Sequence, residues 1–199
     1  MKRGKLIVFY GINNLGKTTQ AKLLVDKIRA RGNKAEYLKY HVYELESSGP
    51  LINQYLRAGN PYKLSAREFQ ILAGVNKYHH QPILQARLEQ GINIVAEDYW
   101  ATSVAWGQGA GVDKDFLIKL NQGIIKEDMV FLFDGERFLD SREQGHTFEQ
   151  NDDLTQKVRQ FHLQLGKEFG WIKINANDTI EKIHGVIWER VKKLLTIDN

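Results

Sequence analysis

The first constraint on this chain is a glycine-containing loop that separates an apolar run from a helical one. The spacing G-x-x-x-x-G-K-T extends from Gly11 to Thr18, and only Tyr10 separates it from the apolar residues 6–9. Glycines let backbone N–H groups turn toward phosphate oxygens, and the following helix presents its positive N-terminus to the same anion. The pattern therefore predicts a site for the phosphates of a nucleoside triphosphate.

Within this loop, Lys17 supplies a mobile positive charge for the β- and γ-phosphates, and the Thr18 hydroxyl is a candidate Mg²⁺ ligand. A glycine turn that merely happens to carry a lysine would not explain the full spacing, the threonine and both flanking elements. The loop residues that we expect to contact the nucleotide are Gly11, Asn13, Asn14, Leu15, Gly16, Lys17, Thr18 and Thr19.

Composition limits the remaining classes of protein. A length of 199 residues favours one domain, and a net charge of +4 without a basic block argues against a nucleic-acid partner. The absence of cysteine excludes disulfides and thiolate metal sites and favours a cytoplasmic protein. No apolar stretch is long enough to span a bilayer, so we expect no membrane partner.

Strand and helix patterns alternate along the chain, which predicts an α/β fold with a parallel sheet covered on both faces, a three-layer sandwich. The five predicted strands are residues 5–10, 35–40, 92–96, 129–133 and 171–174. A long helix should extend from a capping box at Ser65 to Gly91, with a kink or break near residues 80–81 because Pro82 follows.

Three further elements follow from local composition. Residues 102–106 look helical, and Gly107, Gly109 and Gly111 predict a mobile loop after them. Residues 135–151 are polar without apolar periodicity, which is typical of a lid. Asp178 is the expected cap of the last helix.

Several motifs together resemble the thymidylate kinase family, a nucleoside monophosphate kinase branch of the P-loop nucleoside triphosphate hydrolase fold. The end of the phosphate loop, residues 16–20, matches that family, and residues 49–56 resemble its short helix after the second strand. Residues 97–106 resemble its Asp-Arg-Tyr-x-x-Ser-x-x-Ala-Tyr segment, and Asn76-Lys77 its Asn/Asp-Arg pair. The turn at Ala176 resembles the one that the family places near the adenine of ATP.

The resemblance implies an enzyme of nucleotide biosynthesis that uses ATP and Mg²⁺ to convert dTMP to dTDP. It implies one domain with a core of residues 1–40 and 92–199, an acceptor-binding segment 41–91 and a lid 135–151, and it also implies a homodimer. Three positions depart from the family. Asp98 replaces an arginine that grips phosphate, Ala73 replaces a stacking phenylalanine, and Lys39-Tyr40-His41 lacks the arginine of an Arg-Pro pair.

Glu97 and Asp98 end a buried strand at the edge where ligands of parallel sheets bind. Consecutive strand residues point to opposite faces, so only one should face the phosphates unless the strand has already turned. We assign Glu97 to the metal, directly or through water, or to orienting the attacking oxygen. Asp98 is assigned to the acceptor sugar or to a structural ion pair. An ordinary aspartate-containing turn is the alternative.

Arginines in the lid are candidates for stabilising the charge of the transferred phosphoryl group. By resemblance Arg142 is the first candidate and Arg137 the second; the alternative is that both are solvated surface residues.

The acceptor phosphate needs cations that Asp98 does not supply. Lys77 matches a family arginine and is favoured for this role; Lys39, Arg57 and Arg67 remain undecided, and Arg57 has an alternative role at the C-terminus of its helix. Tyr40 and Trp106 are candidates for a wall around the base or sugar, and Thr102 for a hydrogen bond to the base edge. Phe69 is interpreted as a core residue. The predicted acceptor site is Lys39, Tyr40, Arg57, Asn76, Lys77, Asp98, Thr102 and Trp106.

Two other functions remain open. A deoxynucleoside kinase would have the same ATP site and would use a carboxylate at Glu97-Asp98 as a base toward a neutral hydroxyl acceptor. A nucleotide-dependent binding module or switch would hold ATP without transferring its phosphate. The Asn-Lys-x-Asp motif of guanine-specific switches is absent from the sequence.

Overall fold

The computed structural model describes residues 2–138 and 152–196, and a five-stranded sheet lies at the centre of this part of the chain. The strands are β1 (Leu6–Tyr10), β2 (Ala35–Lys39), β3 (Asn93–Glu97), β4 (Met129–Asp134) and β5 (Ile172–Asn175). Each predicted strand is confirmed to within one residue at either end. All neighbouring strands pair in parallel, in the order β2-β3-β1-β4-β5.

The central strand β1 is buried along all of its residues, which is typical of a parallel sheet covered on both faces. Its neighbours are β3 on one side and β4 on the other. The chain leaves β1 toward β2 and leaves β3 toward β4, so the two connections cross the sheet in opposite directions. Ligands of open α/β sheets bind at the carboxyl ends of two such strands, here where Phe9 pairs with Glu97.

Two groups of helices enclose the sheet. The helices are α1 (Lys17–Ala30), α2 (Ser48–Arg57), α3 (Ala66–Glu89), α4 (Trp100–Gly109), α5 (Lys114–Leu120), α6 (Asp152–Glu168) and α7 (Ile180–Leu195). In one group α1 packs against α7, and in the other α4 packs against α3, α5 and α6. These layers confirm the predicted α/β class. A small separate apolar cluster of Ile52, Leu56 and Phe69 joins α2 to α3.

Helix α3 begins at the predicted capping box. Ser65 Oγ accepts from the N–H of Glu68 at 3.2 Å, and Glu68 Oε2 accepts from the N–H of Ser65 at 2.7 Å. The helix then continues through Pro82 to Glu89, so the predicted break is not found. The buried residues Leu84 and Leu88 belong to the main core, and their burial holds the last turns of α3 against it.

The cap of α7 differs from the prediction by one residue. Thr179 has extended backbone angles, and its side chain accepts from the N–H of Lys182 at 3.3 Å. Asp178 instead forms an ion pair with Lys182 Nζ at 2.7 Å. Both residue types can cap a helix, and the backbone conformation decides between them.

The mobile loop predicted from Gly107 onward is wrong at its start, because Gly107 and Gly109 belong to α4. A Cβ on Gly107 would lie 2.7 Å from Leu117 Cδ1, and one on Gly109 would lie 2.8 Å from Val158 Cγ2. The glycines therefore allow close packing of α4 against α5 and α6. Gly111, with φ +83°, lies in the turn after the helix.

The predicted lid 135–151 lies outside the described residues beyond Phe138. Within 2–138 and 152–196, no helix has both the length and the apolar character needed to cross a membrane.

Substitution of Gly107 by alanine should destabilise the protein by about 1–3 kcal/mol, because the new methyl group would overlap both Cδ atoms of the fully buried Leu117. Gly185→Ala is the matched control: this glycine lies inside α7, and a Cβ there would have no neighbouring atom within 4 Å. The control should be stabilised by up to about 1 kcal/mol through helix propensity. Urea unfolding of both variants measures the difference, and equal effects would contradict the packing role of Gly107.

Candidate active site

A cleft of about 780 Å³ opens at the carboxyl ends of β1 and β3. The phosphate loop, residues 13–19, forms one end of it. Residues of β2, α2, α3 and α4 form the other end, and the turn before α7 closes the side near the loop. One continuous space therefore joins the predicted donor and acceptor halves.

The backbone conformation of the loop favours glycine at both glycine positions of the motif. Gly11 has φ +133°, and a Cβ there would lie 2.5 Å from the carbonyl oxygen of Phe133. Gly16 has φ +74° and occupies the N-cap position of α1. Gly11 does not line the cleft itself; it lets the backbone turn into the loop. The N-terminus of α1 consequently faces the cleft, where it favours an anion.

Lys17 is buried at the base of the loop. Its Nζ donates to the carbonyl oxygens of Gly11 at 3.0 Å and Ile12 at 2.8 Å, and lies 3.6 Å from Asp98 Oδ1. The structural ion pair considered for Asp98 is thus present, and its partner is the lysine of the phosphate loop. Asp98 Oδ1 also lies 3.5 Å from Thr102 Oγ1.

Glu97 and Asp98 both line the cleft, because the chain turns between them. Asp98 has φ +58°, a left-handed conformation that ends the strand alternation. Glu97 Oε2 accepts from Thr18 Oγ1 at 3.1 Å, and Oε1 accepts from the Tyr37 hydroxyl at 2.6 Å. Burial and the neighbouring Asp98 raise the pKa of Glu97, and the Lys17 charge opposes this shift.

Thr18 and Glu97 also form the candidate metal site. A hydroxyl and a carboxylate oxygen are ligands that Mg²⁺ prefers, and the contact at 3.1 Å shows that the two side chains face the same point at the phosphate loop. The residue types and their placement therefore fit the predicted ion.

Of the remaining residues predicted for the ATP site and the lid, one lines the cleft, one does not, and one lies outside the described residues. Ala176 lines the cleft beside the start of α7. Arg137 does not line it: its Nη1 forms an ion pair with Asp152 Oδ1 at 3.0 Å, at the start of α6. Arg142 lies outside the described residues. Phe138, which sequence reasoning did not select, lines the cleft and donates its N–H to Asn14 O at 2.9 Å.

Five of the predicted acceptor residues other than Asp98 line the far half of the cleft: Lys39, Tyr40, Arg57, Thr102 and Trp106. The Tyr40 hydroxyl pairs with His80 Nδ1 at 3.0 Å, which holds its ring between β2 and α3. The guanidinium of Arg57 lies 4.8 Å from the ring centre of Tyr43, another cleft residue. Arg67 instead stacks on Phe116 at 3.6 Å and lies outside the cleft lining.

Asn76 and Lys77 do not line the cleft, which corrects the prediction of direct contact with the acceptor. Asn76 binds the backbone of Val42 in both directions, at 3.0 and 2.9 Å, and donates to Ser48 Oγ at 3.0 Å. It thereby fixes the segment between β2 and α2. Lys77 is fully buried, and its Nζ donates to Ala73 O at 2.9 Å and to Ser103 Oγ at 2.7 Å.

Six residues that the sequence analysis did not assign to the acceptor site line this half of the cleft: His41, Tyr43, Leu56, Phe69, Gln70 and Ser103. Phe69 is buried, as predicted, but its ring stacks on Tyr55 with 3.9 Å between centres and also borders the cleft. It lies one helical turn before Ala73, the position where the family resemblance places a stacking ring. Residues four positions apart lie on the same face of a helix, so this spacing was the sequence signal that could have identified Phe69 as a cleft residue.

Burial lowers the pKa of Lys77 from 10.5 to about 7, whereas the unfolded chain keeps the ordinary value. Between pH 7 and 10 the unfolded state therefore binds more protons, and stability should rise with pH by at most about 1.4 kcal/mol per unit. The neighbouring His41, whose pKa burial and Lys77 lower, is already neutral in this range.

Replacement of Lys77 by methionine should remove this rise. Urea unfolding at several pH values measures the free energy of unfolding of wild type minus variant, which should increase from pH 7 to pH 10. Lys119→Met, at an exposed lysine on α5, is the control and should show a constant difference. If the free energy of unfolding had the same pH dependence in wild type and Lys77→Met, the lowered pKa of the Lys77 amine would be contradicted.

Comparison with known proteins agrees with this geometry. The family model described as thymidylate kinase matches residues 9–187. The thymidylate kinase of Plasmodium falciparum is 30% identical over 196 residues, covering 97% of this chain and 92% of that protein. The human thymidylate kinase is 29% identical over 189 residues, covering 92% and 87% respectively.

The fold is also that of a solved structure. Thymidylate kinase from Candida albicans superposes with a TM-score of 0.83 at 23% identity, covering 98% of this chain and 94% of that one. The phosphate loop, the parallel sheet and the matched range lead to one conclusion: the chain belongs to the thymidylate kinase family.

Proposed function

We propose that this protein transfers the γ-phosphoryl group of ATP to dTMP, giving dTDP. The observation that carries the proposal is the single cleft that joins a complete phosphate loop to a recess with aromatic and polar walls. Two nucleotides bound at the two ends would have their phosphates between Lys17, Glu97 and Asp98. Family membership supports both the reaction and the acceptor.

On the donor side, the backbone N–H groups of the loop would bind the phosphate chain, with Asn13, Asn14, Leu15 and Thr19 lining its path. Lys17 would exchange its contacts with the loop carbonyl oxygens for the β- and γ-phosphates. Ala176 borders the cleft where the adenine would lie.

Thr18 and Glu97 would hold Mg²⁺, directly or through water. When bound, the ion would neutralise charge on the donor phosphates. The raised pKa of Glu97 reflects the burial of its carboxyl group, and a cation at this position would favour the ionised form.

On the acceptor side, Lys39 and Arg57 are the lining cations that would face the phosphate of dTMP. Tyr40 and Trp106 would enclose the sugar and base, and Thr102 would contribute a hydroxyl group. Asp98 would hold the sugar hydroxyl or retain Lys17. Asn76 and Lys77 would act from behind the wall, by holding the loop at Val42 and the Ser103 hydroxyl.

The chemistry that these residues perform is positioning and charge stabilisation. An oxygen of the acceptor phosphate attacks the γ-phosphorus in line, the bond to the β-phosphate oxygen breaks, and ADP leaves. No general base is needed, because the attacking oxygen is already ionised at neutral pH. Lys17 and an arginine of the lid segment take the charge that develops on the transferred group.

A deoxynucleoside kinase is the second candidate, and Asp98 is the observation that favours it. A carboxylate lines the cleft where the family has a phosphate-gripping arginine. A neutral hydroxyl acceptor would tolerate this charge and would use it as a base.

Acceptor-dependent ATP consumption separates these functions. With Mg-ATP, we expect turnover with dTMP and none with thymidine, and Lys17→Met should lower kcat at least about 100-fold because transition-state charge loses its partner. Lys22→Met, at an exposed residue of α1, is the control and should retain activity. Turnover with thymidine alone would establish the deoxynucleoside kinase, and ATP binding without any turnover would establish a binding module.

Arg142 remains the first candidate for the lid arginine, ahead of Arg137, whose partner is Asp152. Arg142→Ala should lower kcat about 100-fold or more with little change in the KM for ATP, because its contact forms in the transition state. Arg137→Ala is the comparison and should have the smaller effect. Full activity of Arg142→Ala in steady-state kinetics would remove this residue from the mechanism.

The homodimer implied by the family resemblance stays a prediction. An exposed apolar stripe on α3 is formed by Ile71, Val75 and Tyr78, at i, i+4 and i+7 spacing, and we propose this stripe as the contact between the two subunits.

A cytoplasmic setting also stays a prediction, which rests on the absence of cysteine.

A further inference from the structure

We infer that Asn177 is a positioning residue for the donor nucleotide, and that it acts by fixing the backbone of the phosphate loop through the segment 135–138. This role rests on the proposed function, because it takes the phosphate loop to hold ATP. Asn177 itself does not line the cleft, although both of its chain neighbours, Ala176 and Asp178, do. Any effect that it has on a nucleotide is therefore indirect.

The side-chain amide of Asn177 holds the backbone of Glu136 at both polar groups. Asn177 Oδ1 accepts from the Glu136 N–H at 2.7 Å, and Asn177 Nδ2 donates to the Glu136 carbonyl oxygen at 3.0 Å. Because the acceptor and the donor of the amide are used together, the pair fixes both the position and the orientation of this part of the chain. The turn before α7 is thereby joined to the segment that follows β4.

The close approach of these two segments depends on glycine at residue 135. A Cβ on Gly135 would lie 2.3 Å from Asn177 Oδ1 and 3.0 Å from Asn177 Cγ. The backbone of Gly135 is not in the left-handed region, so its conformation alone would accept an alanine. A larger residue at this position is therefore opposed mainly by contact with Asn177.

The same segment reaches the phosphate loop at Phe138. The Phe138 N–H donates to the carbonyl oxygen of Asn14 at 2.9 Å, and a Cβ on Gly16 would lie 3.9 Å from Phe138 Cε2. Asn14 has φ +64°, a left-handed conformation that asparagine adopts more readily than most residues but that still costs free energy. The hydrogen bond from Phe138 therefore helps to hold the loop in the conformation in which its N–H groups would bind phosphate.

These contacts form a continuous path from Asn177 through Glu136 and Phe138 to Asn14. A loop that is already held in its binding conformation loses less conformational entropy when an anion binds, so its affinity for the anion is higher. Asn177 would hence raise the affinity of the loop for the phosphate chain of the donor. The acceptor half would be unaffected, since no residue of the path lines it.

Equilibrium binding measures this effect without turnover. Isothermal titration calorimetry gives the dissociation constants of ATP, tripolyphosphate and dTMP, each with Mg²⁺, for wild type and Asn177→Ala. We expect the variant to bind ATP and tripolyphosphate about 3- to 10-fold more weakly, because part of the contribution of two solvent-exposed hydrogen bonds reaches the loop. Tripolyphosphate has no base or sugar, so its response reports on the loop and not on a contact with adenine. The affinity for dTMP should stay within about twofold of wild type, which also shows that the fold is intact.

Gly135→Ala tests the same contact from the other side. In the wild-type background the new methyl group would displace the Asn177 amide, and it should weaken ATP binding about 3- to 10-fold. In the Asn177→Ala background the opposing Oδ1 and Cγ are absent, so Gly135→Ala should add less than about a twofold loss.

Asn33→Ala is the matched control. The Asn33 amide also donates to a backbone oxygen, that of Arg31 at 3.3 Å, but it lies in the turn before β2, at the opposite end of the sheet from the cleft. This variant should leave all three dissociation constants unchanged.

The outcomes separate this role from the proposed function. If Asn177→Ala weakens ATP and tripolyphosphate, but wild type transfers no phosphate to dTMP, the proposed function fails and the role of Asn177 stands. If wild type phosphorylates dTMP while Asn177→Ala binds ATP as tightly as wild type, or loses affinity for ATP but not for tripolyphosphate, the role is overturned. Equal losses for ATP and dTMP, additive effects of the two substitutions, or no binding of ATP or tripolyphosphate by wild type would overturn it as well.

Discussion

The phosphate site depends on a close approach of two backbones at the end of the sheet. Gly11 packs against the carbonyl oxygen of Phe133, where a Cβ would lie only 2.5 Å away, so the central strand can turn into the loop only if this residue is glycine. The loop then returns to begin α1 at Gly16. Because β1 is wholly buried, the core of the protein fixes the position of the phosphate loop.

The donor half was predictable from sequence because it is local. Strand, loop and helix follow one another, and Lys17, Thr18 and residues 13–16 line the cleft as their spacing requires. Glu97 also follows from pattern, since it ends a parallel strand beside β1. What the pattern did not contain is the left-handed turn at Asp98, which brings both carboxylates to the cleft instead of one.

The acceptor half was less predictable because distant helices build it. Lys77 and Ser103 are 26 positions apart, and only the packing of α3 on α4 decides that the lysine lies behind the wall and the serine in it. Ala73 carries no ring, and the aromatic border comes from Phe69 one turn earlier, which sequence alone cannot distinguish from a core residue. Gly107 was predicted to lie in a loop, because its close packing against Leu117 depends on tertiary structure that the sequence does not reveal.

Asp98 carries a negative charge where the family has an arginine, and this charge affects both the donor half and the acceptor half of the cleft. A carboxylate facing an acceptor phosphate in a partly dehydrated cleft would be strongly unfavourable: at 4 Å and an effective dielectric constant of about 20, two like charges repel by about 4 kcal/mol. Asp98 lies 3.6 Å from Lys17 Nζ, which offsets that repulsion. Under the proposed function, a donor phosphate that drew Lys17 away would weaken this offset. Occupation of the phosphate loop would then change the net charge that the acceptor phosphate meets. Under the proposed function, Lys39 and Arg57, which line the acceptor half, would then balance both the acceptor phosphate and Asp98.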